Sequence, residues 1–136
     1  MRVFLDTNVL FSGFHSPRGA PNAILERATA HQLTAVVSPD VLAELVRNIQ
    51  RKAPYLSAEV SSFLQGTALE VVEPSKAQTD RLHQQGFGTD APIVAAAAGA
   101  EVDYFCSGDR RLLERVRRAR RGLRAASPAE LLRLLE

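Results

Sequence analysis

An α/β fold with a mainly parallel sheet, covered by helices on both faces, is the class this sequence predicts. Three observations carry that reading. Short apolar segments of strand character alternate with helical segments along the chain, the pattern of parallel strands joined by helical crossovers. The 136 residues are one domain's worth, enough to cover about two-thirds of the unfolded surface, so one domain over residues 1–136 is expected. An acid, Asp6, directly follows the first strand, at the carboxyl edge where such sheets bind ligands.

The elements follow in order. Residues 2–5 form the first strand, and the chain after it, through Ser16-Pro17-Arg18-Gly19-Ala20-Pro21, reads as a loop rich in Gly and Pro. A helix fits residues 22–31, with Ile24, Leu25 and Ala28 inward, and a second strand fits residues 33–37. Ser38-Pro39 is an N-cap followed by a first-turn proline. The helix it opens carries Val41, Leu42, Leu45, Val46 and Ile49 as an apolar stripe and ends at Pro54. A short helix over residues 57–67 and a third strand over residues 69–73 come next.

Residues 76–85 read as helix, punctuated by Gly86 and Gly88. The alanine-rich run 90–98 is a strong helix former that tolerates Pro92 in its first turn. Residues 103–106 make the fourth strand, 110–120 a helix with Leu112, Leu113 and Val116 inward, and 123–126 a final short strand. Ser127-Pro128-Ala129-Glu130 is a capping box opening a last helix through Leu135. No internal repeat or low-complexity linker is present.

Composition narrows the class of protein. Hydrophobic residues make up 46% of the chain, as in globular proteins. No apolar run approaches the roughly 20 residues of a membrane span, and the N-terminus lacks the pattern of a signal peptide. A cytoplasmic protein without a membrane partner is expected. The lone Cys106 can form neither an internal disulfide nor a cysteine-based zinc site, and its apolar strand marks it as an inert buried thiol. The two lysines, Lys52 and Lys76, sit in no P-loop.

The chemistry lies in the acids. Asp6 follows the first strand, Glu44 falls in Val41-Leu42-Ala43-Glu44-Leu45, Asp90 opens Thr89-Asp90-Ala91-Pro92-Ile93, and Asp109 closes Phe105-Cys106-Ser107-Gly108-Asp109. Glu44 is about 60° round from Val41 at 100° per residue, so it flanks the buried stripe. All four converge only if strands one and four are neighbours. Taken singly, Asp109 and Asp90 read as helix-start residues and Glu44 as a solvated side chain. Asp6 is harder to dismiss, because an acid ending a central strand is awkward to bury without purpose. Jointly placed, four acids repel unless a cation neutralises them, and hard oxygen ligands suit magnesium or manganese. The pattern points to metal-dependent chemistry on phosphate esters. Asp103, at the start of its strand, ranks below the four.

These motifs, in this order and over essentially the whole chain, resemble the PIN domain: Asp6-Thr7-Asn8 after an N-terminal strand, Glu44 in an early helix, Thr89-Asp90-Ala91-Pro92-Ile93 before alanines, and Ser107-Gly108-Asp109 after a strand. The resemblance implies a three-layer α/β/α sandwich with a central, mainly parallel sheet. It also implies a magnesium- or manganese-dependent ribonuclease that leaves a 5′-phosphate and a 3′-hydroxyl. Asp6, Glu44, Asp90 and Asp109 would be its catalytic, metal-binding residues, with Thr7, Asn8 and Ser107 supporting them. Single-domain members of this size are often toxins of toxin–antitoxin pairs, like VapC, so an RNA substrate, a cognate antitoxin and a homodimer are the expected partners. Two departures stand out. Ser107 occupies a position where many members have Thr, which keeps the hydroxyl, and Arg110-Arg111 follows Asp109 where many have acidic or aromatic residues, which speaks against a further acidic ligand there.

Arginines crowd the segment 110–124, although the formal net charge is only +2. Arg110, Arg111, Arg117, Arg118 and Arg121 form either a solvated face or a phosphate-binding surface beside the acids; an antitoxin could use the same region. His15, His31 and His83 read as surface residues. A haloacid-dehalogenase-type phosphatase would need an acid at Asn8, a receiver domain an acidic pair and a late lysine, and a dinucleotide-binding fold a Gly-x-Gly-x-x-Gly after the first strand; none is present. An RNA-processing PIN nuclease outside a toxin–antitoxin system and an inactive PIN-like RNA- or protein-binding domain remain as alternatives.

Overall fold

Among the described residues, five parallel strands form the sheet: β1 (Arg2–Leu5), β2 (Thr34–Val37), β3 (Glu70–Val71), β4 (Tyr104–Cys106) and β5 (Ala125–Ala126). Their spatial order is β3-β2-β1-β4-β5. The computed structural model describes residues 1–119 and 122–136. The helices among them are α1 (Thr7–His15), α2 (Ala20–Thr29), α3 (Pro39–Lys52), α4 (Ser57–Gly66), α5 (Lys76–Gln84), α6 (Ala91–Gly99), α7 (Arg110–Ala119) and α8 (Pro128–Leu135). Sheet and flanking helices make the α/β/α sandwich expected from the sequence.

Strand order explains where a site can form. The chain starts at the centre, runs outward through β2 and β3, then returns to the other side of β1 for β4 and β5. The carboxyl ends of β1 and β4 therefore flank the point where the order reverses, the usual ligand crevice of open α/β sheets. The adjacency the acids require is met: Val3, Phe4 and Leu5 pair with Tyr104, Phe105 and Cys106. The Asp6 N–H extends that ladder by one bond, donating to the Cys106 carbonyl at 3.0 Å.

The core follows from composition at these strands. Val3, Phe4, Leu5 and Phe105 are fully buried, as strands covered on both faces must be. Phe4 and Phe105 stack at 5.9 Å between ring centroids. Ala95, Ala96 and Ala97 are buried along α6, where small side chains let the helix lie close to β2 and α3. Helix α1 packs on α2 and α3, and α2 on α8.

Most caps sit where the sequence places them. The Ser38 hydroxyl accepts from the Val41 N–H (3.3 Å), and Ser127 and Glu130 make the reciprocal capping box. Gly86 (φ +88°) ends α5 and Gly88 (φ +58°) opens a 3-10 turn, Gly88–Asp90, that delivers Asp90 to the start of α6. Both angles lie in the left-handed region that glycine alone adopts without strain.

Four sequence expectations are corrected. The stretch after β1 is helix α1, not loop: Asp6 caps it, Val9, Leu10 and Gly13 are buried at helical spacing, and the loop begins only at Ser16. The next helix spans Ala20–Thr29, not 22–31, and His31 lies beyond it at φ 60°. On α3 the buried stripe is Val41, Leu45 and Ile49, while Leu42 is half-buried and Val46 is 43% exposed; at 100° per residue Val46 sits past the edge of the packed face. The third strand pairs only over Glu70–Val71, since it is an edge strand with one neighbour. Arg120 and Arg121 lie outside the described residues.

Candidate active site

The four acids come from four places and line one cleft of about 260 Å³. Asp6 leaves β1 as the N-cap of α1, Glu44 projects from α3, Asp90 ends the turn before α6, and Asp109 precedes α7. Thr7, Asn8, Phe11 and Ser12 of α1 and Asn48 and Lys52 of α3 complete the lining. A larger, more apolar groove of about 610 Å³ between α2 and α4, lined in part by Phe14, Leu25 and Phe63, holds none of these acids.

Asp6 is buried, at 6% exposure, and its carboxylate is held by donors. Oδ1 accepts from the Thr7 N–H (2.8 Å), and Oδ2 from the Ser107 hydroxyl (2.8 Å) and the Asn8 amide (3.3 Å). The same three residues tie the site together. Asn8 also donates to Ser107 Oγ (3.2 Å) and accepts from the Gly108 N–H (2.8 Å), and Thr7 Oγ1 donates to Glu44 Oε2 (2.8 Å). Thr7, Asn8 and Ser107 thus each touch an acid of the cleft.

Taken one by one, the acids differ in what else they do. Asp109 does cap a helix: its Oδ1 accepts from the Leu112 N–H at 3.2 Å. Asp90 does not, for its side chain makes no cap hydrogen bond to α6. Glu44 is half-buried and hydrogen-bonded by Thr7, not a freely solvated side chain. Asp103 lies at the opposite end of the sheet, where its carboxylate accepts from the Arg2 N–H at 2.7 Å.

Electrostatics record the crowding. Burial pushes the Asp6 carboxyl up to about 6, and the charges of Asp90 and Glu44 push the same way against the hydrogen bonds from Ser107 and Thr7. Asp90 is also raised, by burial first, then by Asp109 and Glu44, with Arg115 pulling it back. Cys106 beside them is buried and pushed up to about 12, chiefly by burial, so it remains a thiol as expected.

The donor set is all hard oxygen, and two of its carboxyls resist ionising without a counter-charge; in chemistry these residues fit a magnesium-like ion. Among the described residues, no group of three or more His, Cys, Asp or Glu side chains is already arranged to hold a metal ion. Mutual repulsion is a sufficient reason for carboxylates to stand apart without a cation. His15, His31 and His83 are exposed and outside the cleft, as the sequence suggests.

The arginines divide. Arg110, Arg111 and Arg118 are exposed on α7. Arg117 pairs with Glu130 (3.1 Å) and donates to the Ala125 carbonyl (3.0 Å), fastening α7 to β5 and α8. Arg115 stacks over Phe87 at 5.0 Å. Arg121 lies outside the described residues. Four lining residues are not among those the sequence singles out: Phe11, Ser12, Asn48 and Lys52. The last two lie one and two α-helical repeats beyond Glu44, a spacing that would have found them; Phe11 and Ser12 require recognising α1.

A sequence model of the PIN domain matches residues 2–111, and the chain belongs to the PIN-domain family, whose members are generally nucleases. Two solved structures share the fold. A chain of VapBC2 from Rickettsia felis, solved bound to a DNA fragment from their promoter, has a TM-score of 0.68 at 20% identity, covering 93% of this chain and 98% of that one. PAE2754 from Pyrobaculum aerophilum has a TM-score of 0.69 at 15% identity, covering 99% of this chain and 89% of that one. A search of the curated proteins finds no sequence match. No helix among the described residues is long and apolar enough to cross a membrane.

Proposed function

We propose that this protein is a magnesium- or manganese-dependent endoribonuclease and the toxin of a toxin–antitoxin pair. The observation that carries the reading is the convergence of Asp6, Glu44, Asp90 and Asp109 on one cleft at the carboxyl edge of β1 and β4. Those carboxylates would hold the ion, which when bound neutralises phosphate charge and acidifies water. The chain's own residues prepare the cleft. The Thr7 N–H and the Ser107 hydroxyl favour ionised Asp6, the Thr7 hydroxyl orients Glu44, and Arg115 favours ionised Asp90. Lys52 is the one cation among the described lining residues and offers an ammonium to an incoming phosphate.

The fold likeness to a VapBC2 chain supports the toxin role, with a cognate antitoxin and a homodimer as expected protein partners. The test is RNA cleavage with and without magnesium or manganese, in wild type and in Asp90→Asn. Metal-dependent cleavage lost in the variant is the expected result; metal-independent or unchanged cleavage overturns it. A short neighbouring gene for a DNA-binding protein that co-purifies with this chain is expected for the toxin role, and its absence favours an RNA-processing nuclease. A second reading, a PIN-like domain that binds RNA or protein without catalysis, draws on the exposed Arg110, Arg111 and Arg118 of α7. Calorimetric titration with magnesium separates the two, because that reading expects no binding heat.

A further inference from the structure

We propose that Phe11 and Lys52 form a nucleobase subsite on the α1–α3 wall of the acidic cleft: a base of the bound strand stacks on the Phe11 ring and Lys52 takes an adjacent phosphate. The proposal rests on the nuclease reading and adds the residues that grip the strand. Phe11 is half-buried and lines the same cleft as the four carboxylates, whereas Phe4, Phe87 and Phe105 are buried in the core. An aromatic ring lining a charged cleft offers a π-face to a base, whatever its identity.

Its surroundings favour that use. Phe11 is braced by His15, stacked at 5.5 Å with 15° between ring planes, so the ring's orientation is set before any ligand arrives. The Lys52 ammonium lies over the ring at 5.7 Å. Lys52 is exposed, and an exposed cation–π contact is weaker than base stacking on the same ring. A base can therefore displace the ammonium, and the freed Lys52 is then beside the strand it came with. That matters because four acids repel a phosphate backbone, and Lys52 is the only cation among the described lining residues. Asn48 lies between Glu44 and Lys52 at four-residue spacing and lines the same wall, so its amide can meet a base edge. Paired bases in a duplex are already stacked on their neighbours and present no free face.

The experiment measures binding of fluorescein-labelled short RNAs by anisotropy, with calcium in place of magnesium, alongside cleavage with magnesium. Wild type should bind a single strand at least tenfold more tightly than a duplex of the same sequence, and more tightly than an abasic strand of the same length. Phe11→Leu should bind the single strand roughly tenfold more weakly, Phe11→Trp should restore affinity, and Lys52→Met should lower the log–log salt slope by about 0.7. Equal binding of intact and abasic strands by wild type overturns the subsite, and needs no variant to fold. Wild-type affinity in a folded Phe11→Leu overturns it as well, and leaves the nuclease reading standing if Asp90→Asn still abolishes cleavage. A wild type that neither binds nor cleaves any RNA overturns both.

Discussion

The Ser107 hydroxyl donates to Asp6 Oδ2 at 2.8 Å, across 101 residues of sequence, with both side chains buried. The bond joins the ends of two neighbouring strands and lowers the proton affinity of an acid that burial raises. Ser107→Ala should push Asp6 further above about 6 and move the acid limb of the cleavage profile to higher pH. Losing a donor to a buried carboxylate costs about 1–3 kcal/mol. A pH–rate profile with an unmoved acid limb would show that the bond does not govern the titration.

Asp6 should also set how the metal-free protein responds to pH. Its carboxyl is raised from 3.8 to about 6, so the folded state binds this proton more tightly than the unfolded state. The stability this proton confers is fully present below pH 3.8 and is lost as pH rises through about 6. Asp90 shifts in the same direction. Asp6→Asn removes the effect, so at pH 8 the variant should be more stable than wild type by up to about 3 kcal/mol. The gap should close near pH 4. Chemical denaturation across that range, in chelator, checks it; a gap independent of pH contradicts the assignment.

Metal should stabilise the fold. An ion that binds only the folded state adds about 2.7 kcal/mol at a hundredfold excess over Kd. Asp109 both caps α7 and lines the cleft, so Asp109→Asn is the cleaner variant: it keeps an N-cap side chain and drops the charge. Manganese should raise the melting temperature of wild type and raise it less in Asp109→Asn. An equal rise in both places the ion elsewhere.

The arginines of α7 should separate by role. Arg117 is tied to Glu130, both partly exposed, so Arg117→Gln should lower stability by about 0–1 kcal/mol. The triple change Arg110→Gln, Arg111→Gln and Arg118→Gln should leave stability nearly unchanged. If these three touch phosphates, it flattens the salt dependence of RNA binding by about 0.7 in log–log slope for each phosphate left without its arginine. An unchanged slope across a salt series returns them to a solvated face.

Gly13 tests α1, the helix whose stretch of sequence reads as loop. A Cβ there would stand 2.5 Å from Leu25 Cδ1 and 3.2 Å from the Pro21 carbonyl oxygen. Gly13→Ala should destabilise the fold by about 1–3 kcal/mol through overpacking of α1 on α2, despite alanine's higher helix propensity. Thermal melts check this, and an unchanged or raised melting temperature would mean that the Leu25 side chain gives way without cost.

By itself the sequence determined the strands and most of the helices, because their signals are local. The apolar runs at β1 and β4, the caps at Ser38 and Ser127 and the alanines of α6 each act within a few residues of chain. It also marked the four acids, because Asp6, Asp90 and Asp109 border such elements and Glu44 flanks the apolar stripe of α3. Tertiary structure decided the rest. The order β3-β2-β1-β4-β5 depends on packing between segments about a hundred residues apart, which no local pattern encodes. Helix α1 has nine residues, among them Gly13 and several β-branched or aromatic side chains. A helix so short is marginal alone and forms because α2 and α3 bury its face. With α1 hidden, so were Phe11 and Ser12, and with them one wall of the cleft. The engagement of Arg117 by Glu130 was hidden for the same reason: helical spacing reports the face a residue occupies, and only the docking of α8 reports what meets it there.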